Sequence, residues 1–583
     1  MELSTRRLVV ALALSLGGCA KPPAYDVVIR GGTIYNGTGS APIYGDLAIV
    51  GDSIVAVGHV SGTGRREIDA KGLAVAPGFI NMLSQANESL LQDGRSQSDI
   101  RQGVTLEVTG EGGSAGPLTD TMRTVFTGLQ GDIKYPMNWT TLGGYLDTVV
   151  AHGISTNIAS FVGAETIRIH ELGWDNRAPT PEELDRMRAL VKQAMEEGAM
   201  GVSTALIYAP GAYAKTDEVT ELVKAAAPYG GMYISHMRSE GLRLVQAVDE
   251  LLQIARDAGV RAEIFHLKAA GRANWSKMDA VVKKIDSARD AGMDITADIY
   301  PYPAGATGLD ASMPTWVQEG GYAAWAKRLQ DKSIRARVKR EMDTPSDAWE
   351  NLFLAAGSPD RILLVQFKAD SLKQYTGKTL AEVAKLRGTS PEETAMDLVV
   401  KDGTRVGTIY FLMSEDNITR EVSLPWVSVG SDEASLAPEG VFLKSNPHPR
   451  AYGSFARFLG KYSRDDKIIP LTEAVRRLTS LPATNLRIRR RGKLAPGYFA
   501  DVVVFNADSI IDHATFEKPH QYATGVVHVF VNGVQVLANG EHTGAKPGRV
   551  VRGPGFKGGA SAGLGNRGTV EQRNGGTGGQ GGR

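Results

Sequence analysis

Apolar and polar positions follow two rhythms along this chain, short alternating runs at both ends and longer mixed ones between them. From Tyr25 to Val75 the runs YDVVIRGGTIYNGTG, GDLAIVGDSIVAVG and REIDAKGLAVAPG are strand-like and punctuated by Gly and Asn, which predicts antiparallel β structure. The texture returns in GYFADVVVFNADSI and GVVHVFVNGVQVLANG, within residues 497–540. Because the two ends of a closed barrel lie near each other, segments 24–75 and 481–550 are expected to pair into one small β-sandwich.

Between them, apolar strand runs alternate with helical ones, the rhythm of an α/β chain folded as a (β/α)₈ barrel. Eight barrel strands are predicted, at 79–85, 104–110, 156–162, 201–207, 231–236, 262–266, 294–300 and 427–432, within a barrel domain spanning 76–480. Between the fifth and sixth, GLRLVQAVDELLQIARDAG repeats apolar side chains at Leu244, Val245, Val248, Leu251, Leu252 and Ala255, a helical stripe that faces a sheet. The interval from 300 to 427 exceeds one βα unit. Its charged helical text (AAWAKRLQDKSIRARVKREM) and its runs RILLVQF and VGTIYFLM predict an inserted subdomain at about 305–424, between strands 7 and 8 and over the catalytic end of the barrel.

Composition narrows the partners. The 583 residues carry a net charge of +1 and 22% charged side chains, with no basic or acidic tract, so a small molecule is favoured over nucleic acid or an anionic surface. Arg6, Arg7, the apolar run Leu8–Leu16 and the ending Leu16-Gly17-Gly18-Cys19 predict a signal peptide over residues 1–19; the ending resembles a bacterial lipobox. Cys19 is the only cysteine, so disulfides are excluded. The expectation is an exported cell-envelope lipoprotein, facing the periplasm or cell exterior and touching the membrane only through a lipid on Cys19. An ordinary signal peptide with an incidental cysteine is the alternative. The last 33 residues, from Val551, hold 13 glycines and few large apolar groups, so 551–583 is expected to be a disordered tail.

Chemistry gathers at the predicted strand ends. His236 closes GMYISH and His266 closes RAEIFH, thirty residues apart, the interval of one βα unit, so both imidazoles emerge at the same end of neighbouring strands. Glu111 follows the second strand and Asp432 the eighth. Two imidazoles and one carboxylate suffice as protein ligands for a catalytic Zn²⁺, with a position left for water or substrate. Asp432 is then free to carry a proton between water and leaving group, a hydrolase layout.

The motifs VAPGFI, GVTLEVTGEG, STALIYAPGAYAKTDE, ISHMRSEG, FHLKAAG, DIYPY, VGSDEA, NPHPRAYGSFARFLG and GKLAPGYFADVVVFNA together resemble the N-acyl-D-amino-acid deacylase family of the amidohydrolase superfamily, over roughly residues 25 to 555. The resemblance implies metal-dependent hydrolysis of the amide bond of N-acyl-D-amino acids. It matches His236 and His266 to metal ligands and Asp432 to the catalytic aspartate, and places Glu111 in the loop that supplies the third ligand. That loop often carries a cysteine in the family; here it reads GEGG. A His-x-His pair normally follows PGFI, but Leu83 and Gln85 stand there, and neither suits Zn²⁺. A lysine able to bridge two metals is also missing after the fourth strand, so one Zn²⁺ per chain is expected. The substrate carboxylate is expected to meet Lys268, Tyr208, Tyr302 and Arg450, with strand alternation placing Lys268 on the same side as His266. Two other functions remain open: hydrolysis of dipeptides, other amides or cyclic amides, and a catalytically inactive envelope binding protein.

Overall fold

The computed structural model describes residues 24–558. Its centre is a parallel barrel of Phe79–Asn81, Val104–Thr109, Asn157–Ser160 continued by Val162–Gly163, Gly201–Ala205, Met232–His236, Ala262–Ile264, Ile295–Ile299 and Val427–Val429. The third strand joins the two halves, since Asn157–Ser160 pairs with the second strand and Val162–Gly163 with the fourth. Closure comes from Met82 N–H donating to the Val429 carbonyl (3.2 Å) and from a parallel bridge between Ser84 and Glu433.

The sixth and eighth strands stop at Ile264 and Val429, short of the predicted 266 and 432. The cause is local: His266 and Asp432 adopt positive φ angles of 36° and 49°, which end the extended run. The helix Leu244–Ala258 buries Leu244, Val248, Leu251, Leu252 and Ala255 against the barrel and ends at Gly259 in the left-handed region, a conformation glycine adopts at little cost.

Both chain ends meet in β structure, but as one nine-stranded sheet in place of a sandwich of two. Val502–Phe505 lies antiparallel to Ala74–Pro77. Strand Tyr25–Ile34 pairs first with Gly64–Asp69 and then with Ala74–Pro77, and its register against the antiparallel strand Ile43–Val50 shifts between Ile29 and Gly32. That irregularity lets the sheet curl around a core of its own, including Ile29, Leu47, Ile49, Ile54, Val502 and Val504. Residues 481–485, expected in the β unit, are helical within Ser480–Asn485. Ala483 and Leu486 join a core with Met200 and Met232 at the strand starts, so packing against the barrel decides the local structure there.

The expected tail is ordered at its beginning. Val551 N–H donates to Ile158 O and Gly553 N–H to Gly198 O (both 2.8 Å), which ties 551–553 to the barrel. Residues 559–583, and residues 1–23 with the expected signal peptide, lie outside the described residues. The insertion carries an antiparallel sheet in the order Gly305–Gly308, Gly407–Tyr410, Ile362–Gln366, Lys378–Thr379. It touches the loops after the barrel strands, where Tyr213 donates to Thr315 O and Gly271 N–H donates to Leu412 O (both 2.8 Å).

Candidate metal centre

The glycines around Glu111 have a steric cause. A Cβ at Gly110 (φ +97°) would meet the Phe161 carbonyl at 2.5 Å, and one at Gly112 (φ +61°) would meet Ala205 Cβ at 2.5 Å. The loop is thereby pressed between the third and fourth strand ends, and it delivers the carboxylate to the histidines. Glu111 Oε1 lies 3.0 Å from His236 Nδ1 and 2.9 Å from His266 Nε2. The imidazoles stand edge to face, centroids 4.4 Å apart. One ligand atom from each of the three residues falls within a mutual 4.8 Å.

This donor set fits a divalent cation. A single carboxylate oxygen facing two ring nitrogens supplies two imidazoles and one oxygen, the catalytic zinc pattern. Burial opposes the Glu111 charge, yet the two imidazoles hold its carboxyl well below the usual range. Burial and the Lys268 ammonium likewise oppose charge on His266, but Glu111 and Glu240 outweigh them and push it up to about 10. With a cation in place of those protons the carboxylates keep a positive partner.

Glu240, which the sequence reading did not assign, completes the cluster. Its Oε1 sits 2.6 Å from Lys268 Nζ, 3.1 Å from His266 Nδ1 and 3.7 Å from His236 Nε2. Its only sequence signal is its place four residues after His236, in the loop RSEG. Lys268 is brought into the site as expected, but its ammonium already meets Glu240 and His266 Nδ1 (2.7 Å). The cause is the left-handed turn at His266, since the extended alternation expected there has ended.

Asp432 faces the ligands from the opposite strand end. Its Oδ1 accepts from Gln85 Nε2 (3.2 Å) and its Oδ2 lies 2.8 Å from Arg450 Nη1. Burial raises its pKa despite Arg450. The ion-pair distance to Arg450 lacks hydrogen-bond geometry: Nη1 and Nε, both buried, have no hydrogen-bond partner. Positive φ at both His266 and Asp432 is backbone strain, of the kind that gathers at functional sites.

Tyr208 packs its ring 5.1 Å from His236, with Arg405 stacked over it at 4.6 Å. Tyr302 is not brought in. Its hydroxyl donates to Asp512 (3.0 Å) and its ring packs on His448 and Arg457. Tyr302 N–H bonds to Tyr300 O (2.9 Å), a tight turn just past the seventh strand. Tyr300 takes the position instead, its ring 6.2 Å from His266 and stacked under Arg450 at 4.3 Å. A separate cavity of about 930 Å³ opens between the loops after strands 4 to 6 and the insertion, lined among others by Leu206, Ile207, Trp275, Trp349 and Phe411. None of Glu111, His236, His266 or Asp432 lines it.

Known proteins share this arrangement of elements. Residues 66–537 match the amidohydrolase family. The chain is 34% identical over 529 residues to a D-aminoacylase of Alcaligenes xylosoxydans xylosoxydans, covering 90% of this chain and 97% of that one. It superposes with a TM-score of 0.75 and 31% identity, over 91% of this chain and 100% of the other, on a D-aminoacylase whose binuclear metal centre shows one-metal activation and second-metal attenuation. An N-acyl-D-glutamate deacylase from Bordetella bronchiseptica, complexed with zinc and a phosphonate mimic of the tetrahedral intermediate, superposes at 0.74 with 31% identity over 91% and 99% of the two chains. On this likeness and on the residues gathered at its strand ends, the chain belongs to the amidohydrolase family, in its N-acyl-D-amino-acid deacylase branch.

Proposed function

We propose that this protein hydrolyses the amide bond of N-acyl-D-amino acids, releasing a carboxylate and a free D-amino acid, with one Zn²⁺ held by Glu111, His236 and His266. The convergence of those three ligand atoms beside Asp432 carries the reading. A divalent cation held there supplies Lewis acidity to the scissile carbonyl and acidifies water. Asp432 takes the proton of the attacking water on a carboxylate oxygen and returns it to the amine nitrogen as the C–N bond breaks. Arg450 supports recognition of the substrate carboxylate through Nε and Nη1, which face Glu433 (3.7 Å) and Asp432 (2.8 Å) as ion pairs without making a hydrogen bond to either. Tyr300 orients that guanidinium by stacking, and Lys268, paired with Glu240, keeps N–H groups beyond that ion pair. Tyr208 walls the site beside His236.

Metal content and hydrolysis of N-acyl-D-amino acids, measured on wild type and on the His236→Ala/His266→Ala variant, test this reading. One zinc per wild-type chain with hydrolysis, both lost in the folded variant, is expected. A metal-free wild type with no hydrolysis that zinc fails to restore would overturn it. Export as a lipoprotein is a separate proposal, supported by Leu16-Gly17-Gly18-Cys19. Cys19→Ala should move the protein from the membrane to the soluble fraction, and an unchanged distribution refutes the anchor.

A further inference from the structure

We infer that Gln85 closes the second cation position of this centre, holding the site at one divalent ion per chain even in excess metal. The inference rests on the metal-dependent reading above. Gln85 Nε2 donates to Glu111 Oε2 at 2.6 Å and lies 3.2 Å from Asp432 Oδ1. Both partners are carboxylate oxygens, so the amide must present its nitrogen to them. Two converging carboxylates with free oxygens form a cation site. Here a neutral amide supplies the positive hydrogens instead.

The surroundings hold that amide in place. Gln85 N–H donates to Glu433 O (3.0 Å) and Ser84 bridges Glu433, so the side chain springs from the seam that closes the barrel. Leu83, two residues earlier, is 1% exposed, packs in an apolar core with Met82 and Val108, and has no lone pair to offer. Its carbonyl accepts from Asp432 N–H (2.8 Å), which fixes the distance between the aspartate and this strand. Glu111 Oε1 is already turned to the two histidines. A second ion at Oε2 and Oδ1 would have to displace the amide, strand its N–H groups in a largely buried site, and bind without an imidazole from position 83 or 85. The second-metal attenuation of the D-aminoacylase relative therefore has no counterpart here.

The test is zinc retained per chain after saturation and gel filtration, with hydrolysis followed across the same titration, for wild type, Leu83→His/Gln85→His and Gln85→Glu. Wild type is expected to hold one ion and keep its activity in excess zinc. The double variant should hold one more ion than wild type and lose activity as it binds. Gln85→Glu preserves the side-chain shape but turns the donor into a third carboxylate, and should also gain an ion. Ions on surface histidines are common to all three proteins and cancel in the comparison. Two ions at the wild-type centre with activity falling as the second binds, or equal counts in all three proteins, overturn the inference and leave the hydrolase reading intact. A wild type that binds no zinc overturns that reading and the inference with it.

Discussion

Replacing Glu240 by Gln removes a buried charge shared by the metal-centre histidines and a lysine. For His266 to bind a cation through Nε2, its Nδ1 must hold the proton and donate it; Glu240 Oε1, 3.1 Å away, is the carboxylate in reach. A hydrogen bond to a charged group contributes about 1.5–3 kcal/mol. At about 1.4 kcal/mol per factor of ten, that is roughly 10- to 150-fold in zinc affinity. Glutamine keeps the shape and one acceptor oxygen, so a loss of about tenfold to fiftyfold is expected, within the range typical of groups that orient metal-bound histidines. Competition for zinc against a chromophoric chelator measures it, with circular dichroism confirming the fold. Affinity unchanged to within about a factor of two in a folded variant would refute the reasoning and return Glu240 to the role of counter-ion for Lys268.

Asp432→Asn should lower kcat by about 10²- to 10⁴-fold while zinc content stays at the wild-type value, because the variant keeps the shape but cannot carry the proton. Arg450→Lys should raise KM for N-acyl amino acids by about tenfold or more, since a lysine cannot reproduce the stacked fork over Tyr300. With α-amidated substrates the two proteins should differ far less; an equal penalty on both substrates would assign Arg450 to Asp432 alone. Burial pushes Asp99 up to about 7, against hydrogen bonds from Ser98 and Asn81. Its folded pKa exceeds the unfolded one, so its contribution to stability is full below about pH 4 and is lost as pH rises to about 7. Asp99→Asn should therefore flatten the decline in unfolding free energy over that window, by up to about 1.4 kcal/mol per pH unit for one group; denaturant unfolding across pH measures it, and an unchanged slope refutes the raised pKa.

The barrel and its two histidines were legible in the sequence because both depend on local spacing. Apolar alternation sets which face of a strand or helix is buried, and thirty residues return the chain to the same end of the barrel. The helix Leu244–Ala258 follows its stripe for this reason. Glu111 was legible too, as the carboxylate that directly follows the second strand.

What the sequence alone determined, then, is the order of the elements, the end of the barrel that carries chemistry, and the donor types available there. Tertiary structure decided which of those donors meet. Positive φ at His266 and Asp432 ended the strands early, and Tyr300 stands at the site in place of Tyr302. Glu240 and Gln85 gained their roles through contacts across the barrel, Glu240 with Lys268 and His266 and Gln85 with Glu111 and Asp432. The physical reason is that periodicity records the environment of a residue relative to its own element. The partners of a loop side chain are set by how eight strands close and how their ends turn, and that information is spread over residues as distant as 85 and 432.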